Sequence, residues 1–148
     1  MCIRYMEPEQ SILLNVVSTM VDFSTSASLQ LSRELDPDGD RTMLCVTKVD
    51  QHKEDGLNRN IDKAMEMMKL NPKHVFAVRN RSQLENDNKL PLTNVREEEV
   101  FELKRLTQGS DHHFGLGVNA LPQQLVKIQH DKILQSLPRA CKAILEQI

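Results

Sequence analysis

The sequence predicts an α/β fold in which parallel strands are flanked by helices, on three observations. Apolar runs too short for helices, at 11–18, 43–46 and 74–78, are bounded by turn-forming residues. Helically spaced segments lie between them, so neighbouring strands should run parallel with right-handed crossovers. At 148 residues the chain has the length of one domain with an ordinary core.

Residues 1–10 read as a helix end and a loop feeding straight into a strand, with no leading βα unit. That start is odd for a complete protein. Residues 11–18, SILLNVVS, form a buried strand interrupted only at Asn15. Ser24 or Ser26 then N-caps a helix over 27–35, with Leu29, Leu31 and Leu35 as its apolar side and Asp36-Pro37 as its end. After the turn Asp36-Pro37-Asp38-Gly39-Asp40, the run Met43-Leu44-Cys45-Val46 reads as a fully buried parallel strand.

A polar loop over 51–56 precedes a helix over 60–70, where Ile61, Ala64, Met65, Met68 and Leu70 face inward and the methionines fill core. Strand 74–78 delivers Arg79-Asn80-Arg81-Ser82-Gln83, and 86–91 is loop-like. Thr93 or Asn94 caps a helix over 95–106 that buries Val100, Leu103 and Leu106 and exposes Glu97, Glu98, Glu99, Lys104 and Arg105. Residues 108–117 form a Gly-bounded loop; its His112 and His113 diverge as i,i+1 neighbours and have no further ligand nearby, so they are not read as a metal site. A helix over 119–137 turns Leu121, Leu125, Ile128, Ile133, Leu134 and Leu137 inward and tolerates Pro122 in its first turn. Pro138 breaks or kinks it, and 139–148 resumes as an amphipathic helix that either packs back on the domain or awaits partner helices.

The formal net charge is -2 with 27% charged residues, so no global basic field argues for nucleic acid. No apolar run reaches membrane-span length, and the first residues do not open a secretory signal peptide. Cys2, Cys45 and Cys141 are widely spaced and odd in number, the pattern of reduced intracellular thiols rather than a disulfide framework or a zinc site.

Ligands of open α/β sheets bind outside the carboxyl ends of the strands, which is where Thr47, Lys48 and Asp50 fall. There an ionised Asp50 can accept two hydrogen bonds from adjacent N–H groups on guanine while the Lys48 stem lies over the ring. Adenine lacks that donor pair and would leave the carboxylate unpaired. An ordinary strand end with a solvated Lys and a helix-capping Asp would spell the same residues. The loop 79–83 at the neighbouring strand end matches a base site that closes on the purine from two sides.

These segments together resemble the dynamin superfamily of large GTPases, and within it the Mx-like and plant dynamin-related branch. The matching stretches are Tyr5 to Val16 (YMEPEQSILLNV), Asp36 to Thr42 (DPDGDRT), Val46-Thr47-Lys48-Val49-Asp50, Val78 to Gln83 (VRNRSQ), and Leu116-Gly117-Val118 followed by the helix to Pro138. The resemblance implies the C-terminal part of a P-loop-GTPase-type G domain over 1–137 and the start of a bundle helix over 138–148, with Pro138 as hinge. It implies that Lys48 and Asp50 bind guanine, that Thr47 supports their loop, and that Asn80, Arg81 and Gln83 complete a pocket for GTP or GDP. The family also implies Mg²⁺, a cytoplasmic location, association with other dynamin-related proteins, and membrane remodelling with contact to membranes or microtubules.

The departures concern phosphate chemistry. None of the five glycines forms the G-x-x-x-x-G-K-[ST] that cradles phosphates, and the Asp-x-x-Gly that would contact Mg²⁺ and the γ-phosphate is not recognised in the sequence. A switch threonine is not expected among these residues, and no Mg²⁺ ligand is identifiable in them. The expectation is a truncated or divergent member that binds nucleotide without hydrolysing it. The alternatives are a catalytically inactive module that associates with intact dynamin-related proteins, and a sequence without selected function and of poor stability.

Overall fold

The computed structural model describes residues 3–51, 54–107 and 114–145. The His112-His113 pair and Cys2 lie outside the described residues. In chain order the elements are α1 (Ile3–Met6), β1 (Leu13–Ser18), α2 (Ala27–Leu35), β2 (Thr42–Thr47), α3 (Glu54–Met68), β3 (Val75–Ala77), α4 (Gln83–Asp87), α5 (Leu92–Leu106), β4 (Gly115–Leu116) and α6 (Ala120–Leu145). The strands form one sheet in the order β1-β2-β3-β4, every neighbouring pair parallel.

The register explains the layering. Leu13 pairs with Thr42, Leu44 with Val75 and Ala77 with Leu116, so Val17, Leu44, Val46, Val75, Ala77 and Leu116 share one face. That face packs against Leu29 of α2, Leu57, Ile61, Ala64, Met65 and Met68 of α3, and Leu103 and Leu106 of α5. On the opposite face Met43 and Phe76 meet Leu121, Leu125 and Ile128 of α6. Helices on both faces are what an all-parallel sheet requires, because each strand has two apolar sides to cover. Gly115 is a packing glycine: a Cβ there would stand 2.3 Å from the ring of Phe76, its partner across the strands.

β2 is buried as expected, but β1 is buried on one face only: Leu14 is 40% and Val16 61% exposed, while Asn15 is 5% exposed. β1 is an edge strand, and α6 covers the central strands rather than β1. Asn15 can lie inward because Ser32 of α2 exchanges hydrogen bonds with it at 2.9 and 3.2 Å.

The helices also depart from expectation. Ser26 holds the cap position of α2 without a side-chain cap bond. α3 begins at Glu54, inside the expected polar loop, because its apolar stripe extends back one turn to Leu57. α5 begins at Leu92 with Pro91 as cap in place of Thr93 or Asn94, and the Pro91 carbonyl accepts from the Val95 N–H at 3.3 Å. β4 stands in a stretch read as loop, and α4 joins the end of the 79–83 loop to the start of the loop-like 86–91. α6 runs through Pro138 without interruption, although proline contributes no N–H to its ladder. Its 26 residues span roughly 39 Å against roughly 20 Å for a strand such as β2. Its far half therefore overhangs the sheet, leaving Ile133, Leu134 and Leu137, expected inward, about half exposed. No helix among the described residues is long and apolar enough to cross a membrane.

Buried polar groups hold the amino edge of the sheet. Arg41, 5% exposed, donates through its guanidinium to the carbonyls of Met6, Pro8, Ser11 and Leu35 at 2.7–3.3 Å. Asp36 accepts from the Arg41 N–H at 3.1 Å and the Thr42 hydroxyl at 2.6 Å. Gly39 turns the chain at φ 70°, where an added Cβ would stand 2.8 Å from the Met68 carbonyl oxygen. Asp36-Pro37-Asp38-Gly39 thus spells Asp-x-x-Gly, but it lies before β2 with its carboxylate engaged in the turn. Arg41→Ala would strand buried carbonyls, and urea unfolding should record a loss of roughly 3 kcal/mol. Arg41→Lys should recover less than half of it, because an ammonium cannot fork to so many acceptors.

Candidate nucleotide-binding site

β2 ends at Thr47, and Lys48 enters the left-handed region at φ 58°. The neighbouring strand end holds it there. Thr19, 3% exposed, donates its N–H to the Thr47 carbonyl at 3.0 Å and its hydroxyl to the Lys48 carbonyl at 2.9 Å. The Thr47 hydroxyl faces the Val17 carbonyl at 3.4 Å. Val49 is wholly buried within a 3₁₀ turn over Val49–Gln51, so Lys48 and Asp50 on either side of it are exposed. Among the described residues neither charged side chain has an ion-pair partner.

The second loop leaves β3 beside the first. Val46 is in register with Ala77, and the Val78 N–H extends that pairing by donating to the Val46 carbonyl at 2.8 Å. Arg79 is held at each of its nitrogens. Its N–H donates to the Glu99 carboxylate at 2.9 Å, its Nε pairs with Glu102 at 3.0 Å, and both terminal nitrogens pair with Glu85. Asn80 follows, exposed, and Arg81 is half-buried with its Nε shielded and without a hydrogen-bond partner. Ser82 then caps α4 in a capping box: its hydroxyl accepts from the Glu85 N–H at 3.2 Å, and its own N–H donates to Glu85 Oε2 at 2.6 Å. Gln83, in the first turn of α4, is exposed and donates to Asp87 at 3.0 Å.

The structure thus brings Thr47, Lys48 and Asp50 to the same sheet edge as Asn80, Arg81 and Gln83, with Gln83 turned to Asp87. A cleft of about 500 Å³ opens farther along, lined by Thr19, Asp22, Phe23, Asn60, Lys63 and Met67 but by none of the candidate residues. Donors and acceptors at the candidate edge suit a planar polar base. Among the described residues no group of three or more His, Cys, Asp or Glu side chains is placed to hold a metal ion.

Sequence reasoning set Glu99 outside α5, yet it is 2% exposed. Its carboxylate accepts from Arg79 and from the Val118 N–H, at 3.2 Å and 3.3 Å for its two oxygens. The signal was present, since Glu99 lies four residues from both Val95 and Leu103 on the buried stripe. The Ser82-x-x-Glu85 capping box and the clamp on Arg79 were equally overlooked.

No family model matches the chain. Dynamin-related protein 4C of Arabidopsis thaliana is 32% identical over all 148 residues, 21% of its own length. The mouse dynamin-1-like protein is 31% identical over 137 residues, covering 92% of this chain and 18% of that protein. The chain belongs to the dynamin superfamily. A third relative, the interferon-induced GTP-binding protein Mx2 of sheep, is 34% identical over 98 residues, 66% of the chain and 14% of its own length. This dynamin-superfamily chain therefore spans about a fifth of the length of such relatives.

Glu85 makes the loop acid-sensitive. The Ser82 N–H, then the Ser82 hydroxyl and Arg79, hold its carboxyl below the usual value against the opposing effect of burial. A carboxyl whose pKa is depressed on folding stabilises the fold fully above the unfolded value of about 4.5, and that stability is lost as pH falls through the folded value. Glu85→Gln should cost about 1–3 kcal/mol at pH 7 in urea titrations, and the gap to wild type should narrow as pH falls through the lowered folded-state value.

Proposed function

We propose that this chain recognises the base of a guanine nucleotide, GTP or GDP, at the carboxyl edge of β2 and β3. Asp50 accepts the paired N–H donors of guanine, Lys48 covers the ring with its stem, and Thr47 supports their loop. Asn80, Arg81 and Gln83 close the pocket from β3. The reading is carried by one observation: Lys48 and Asp50 stand exposed around the buried Val49, beside a second strand-end loop whose Arg81 Nε has no protein partner. Residues 1–137 are read as the C-terminal part of a G domain and 138–148 as the beginning of a bundle helix.

Hydrolysis is not assigned to these residues, because phosphoryl transfer depends on positioned phosphate and metal ligands and the sequence carries neither motif. A cytoplasmic location, membrane remodelling and contact with membranes or microtubules are proposed by family analogy alone. A second reading, an inactive module that associates with intact dynamin-related proteins, draws on the half-exposed Ile133, Leu134 and Leu137 of α6.

Equilibrium binding of a fluorescent GDP analogue decides between the two. The nucleotide reading expects saturable binding displaced by GDP at least about 100-fold better than by ADP, and lost in Asp50→Asn. No binding at millimolar nucleotide by a folded chain would leave the interaction module.

A further inference from the structure

The geometry points to Glu99 as a positioning residue for the base-recognition loop, an assignment that rests on the nucleotide reading above. Its carboxylate is 2% exposed, and a buried carboxylate is tolerated only where donors satisfy it. The cation nearest in sequence to its contacts does not do so, because the Arg79 guanidinium is committed to Glu85 and Glu102. Two backbone N–H groups do: Arg79 at the end of β3 and Val118 just past β4.

The reason lies in how the parallel ladder ends. Phe76 pairs with Gly115 and Ala77 with Leu116, and the Gly117 N–H still donates to the Ala77 carbonyl at 2.9 Å. The next rung would run from the Arg79 N–H to the carbonyl of Gly117. Gly117 instead turns away at φ 82° toward α6, and Glu99 supplies the missing acceptor. A Cβ on Gly117 would stand 3.1 Å from Val100 Cγ2 and 3.3 Å from Glu99 Oε2, so the turn passes close over α5 at both residues. A leucine would complete the stripe between Val95 and Leu103 but leave both N–H groups without an acceptor.

Arg79 immediately precedes Asn80 and Arg81. The bond from its N–H therefore sets the direction in which the loop leaves β3, and its side chain ties the loop further to Glu85 of α4 and Glu102 of α5. Glu99 touches no nucleotide in this account; it acts through Arg79, and the start of α6 is held by the same group.

The test measures GDP affinity and amide hydrogen exchange on the 148-residue chain, comparing wild type, Glu99→Ala and Glu99→Gln. Glu99→Ala should weaken GDP about tenfold or more and speed exchange at Arg79 and Val118 together, while exchange at Leu44 and Val46 in β2 stays unchanged. Glu99→Gln, which keeps the size and one acceptor oxygen, should recover part of both effects and serves if the alanine variant does not fold. Wild-type affinity in either variant, or a change at Arg79 without one at Val118, overturns the assignment and leaves the nucleotide reading standing. Absence of GDP binding by the wild type overturns both.

Discussion

The parallel pairing of β2 with β3 is the constraint on which the remaining features depend. Val46 against Ala77 fixes where each chain leaves the sheet, so the Lys48 loop and the Arg79 loop emerge side by side. A slip of one residue would turn Leu44 and Val46 to the α6 face and Cys45 to the α3 face. The register is held by burial: Met43, Leu44, Val46, Val75 and Ala77 are wholly enclosed. Apolar burial at the centre of the sheet is thus what aligns polar chemistry at its rim.

The two rims are used differently. At the amino edge two buried polar groups are consumed internally, Arg41 by backbone carbonyls and Asp36 by the turn. At the carboxyl edge the backbone is satisfied by side chains from elsewhere, Thr19 for the Lys48 carbonyl and Glu99 for the Arg79 N–H. That support leaves Lys48, Asp50 and Asn80 exposed beside one another. Holding the backbone so that charged tips stay free is what a preformed recognition edge requires. Cys45, buried in β2 near this edge, belongs to the packing, and burial pushes its thiol pKa up.

Local pattern carried much of this architecture in the sequence. The β2 run has no polar interruption, the helix over 27–35 was legible to the residue, and the alternation of strand and helix implied the parallel sheet. Misreadings arose where tertiary context decides. β1 looks buried throughout because its composition cannot report that it is an edge strand. Gly115-Leu116 is too short to signal a strand and exists because β3 offers it a ladder. Glu99 reads as surface by type, and only its register with Val95 and Leu103 betrays its burial. Along α6 the apolar period continues past the end of the sheet, so it could not reveal where cover stops. The exposed position of Lys48 and Asp50 at the end of β2 was legible from the sequence, whereas the supports from Thr19, Glu85 and Glu99 depend on packing between distant segments.

Membership of the dynamin superfamily is consistent with this division of labour, and the residues proposed to read the base lie where the sheet ends. The central claim is that a guanine base is read by the strand-end loops of β2 and β3. The most direct measurement is a titration of the isotopically labelled chain with GDP and then ADP, followed by two-dimensional NMR. Shifts confined to residues 47–51 and 79–83 that GDP produces and ADP does not would be the result this account predicts. Equal responses to both nucleotides, or shifts centred on the cleft lined by Asp22, Asn60 and Lys63, would contradict it.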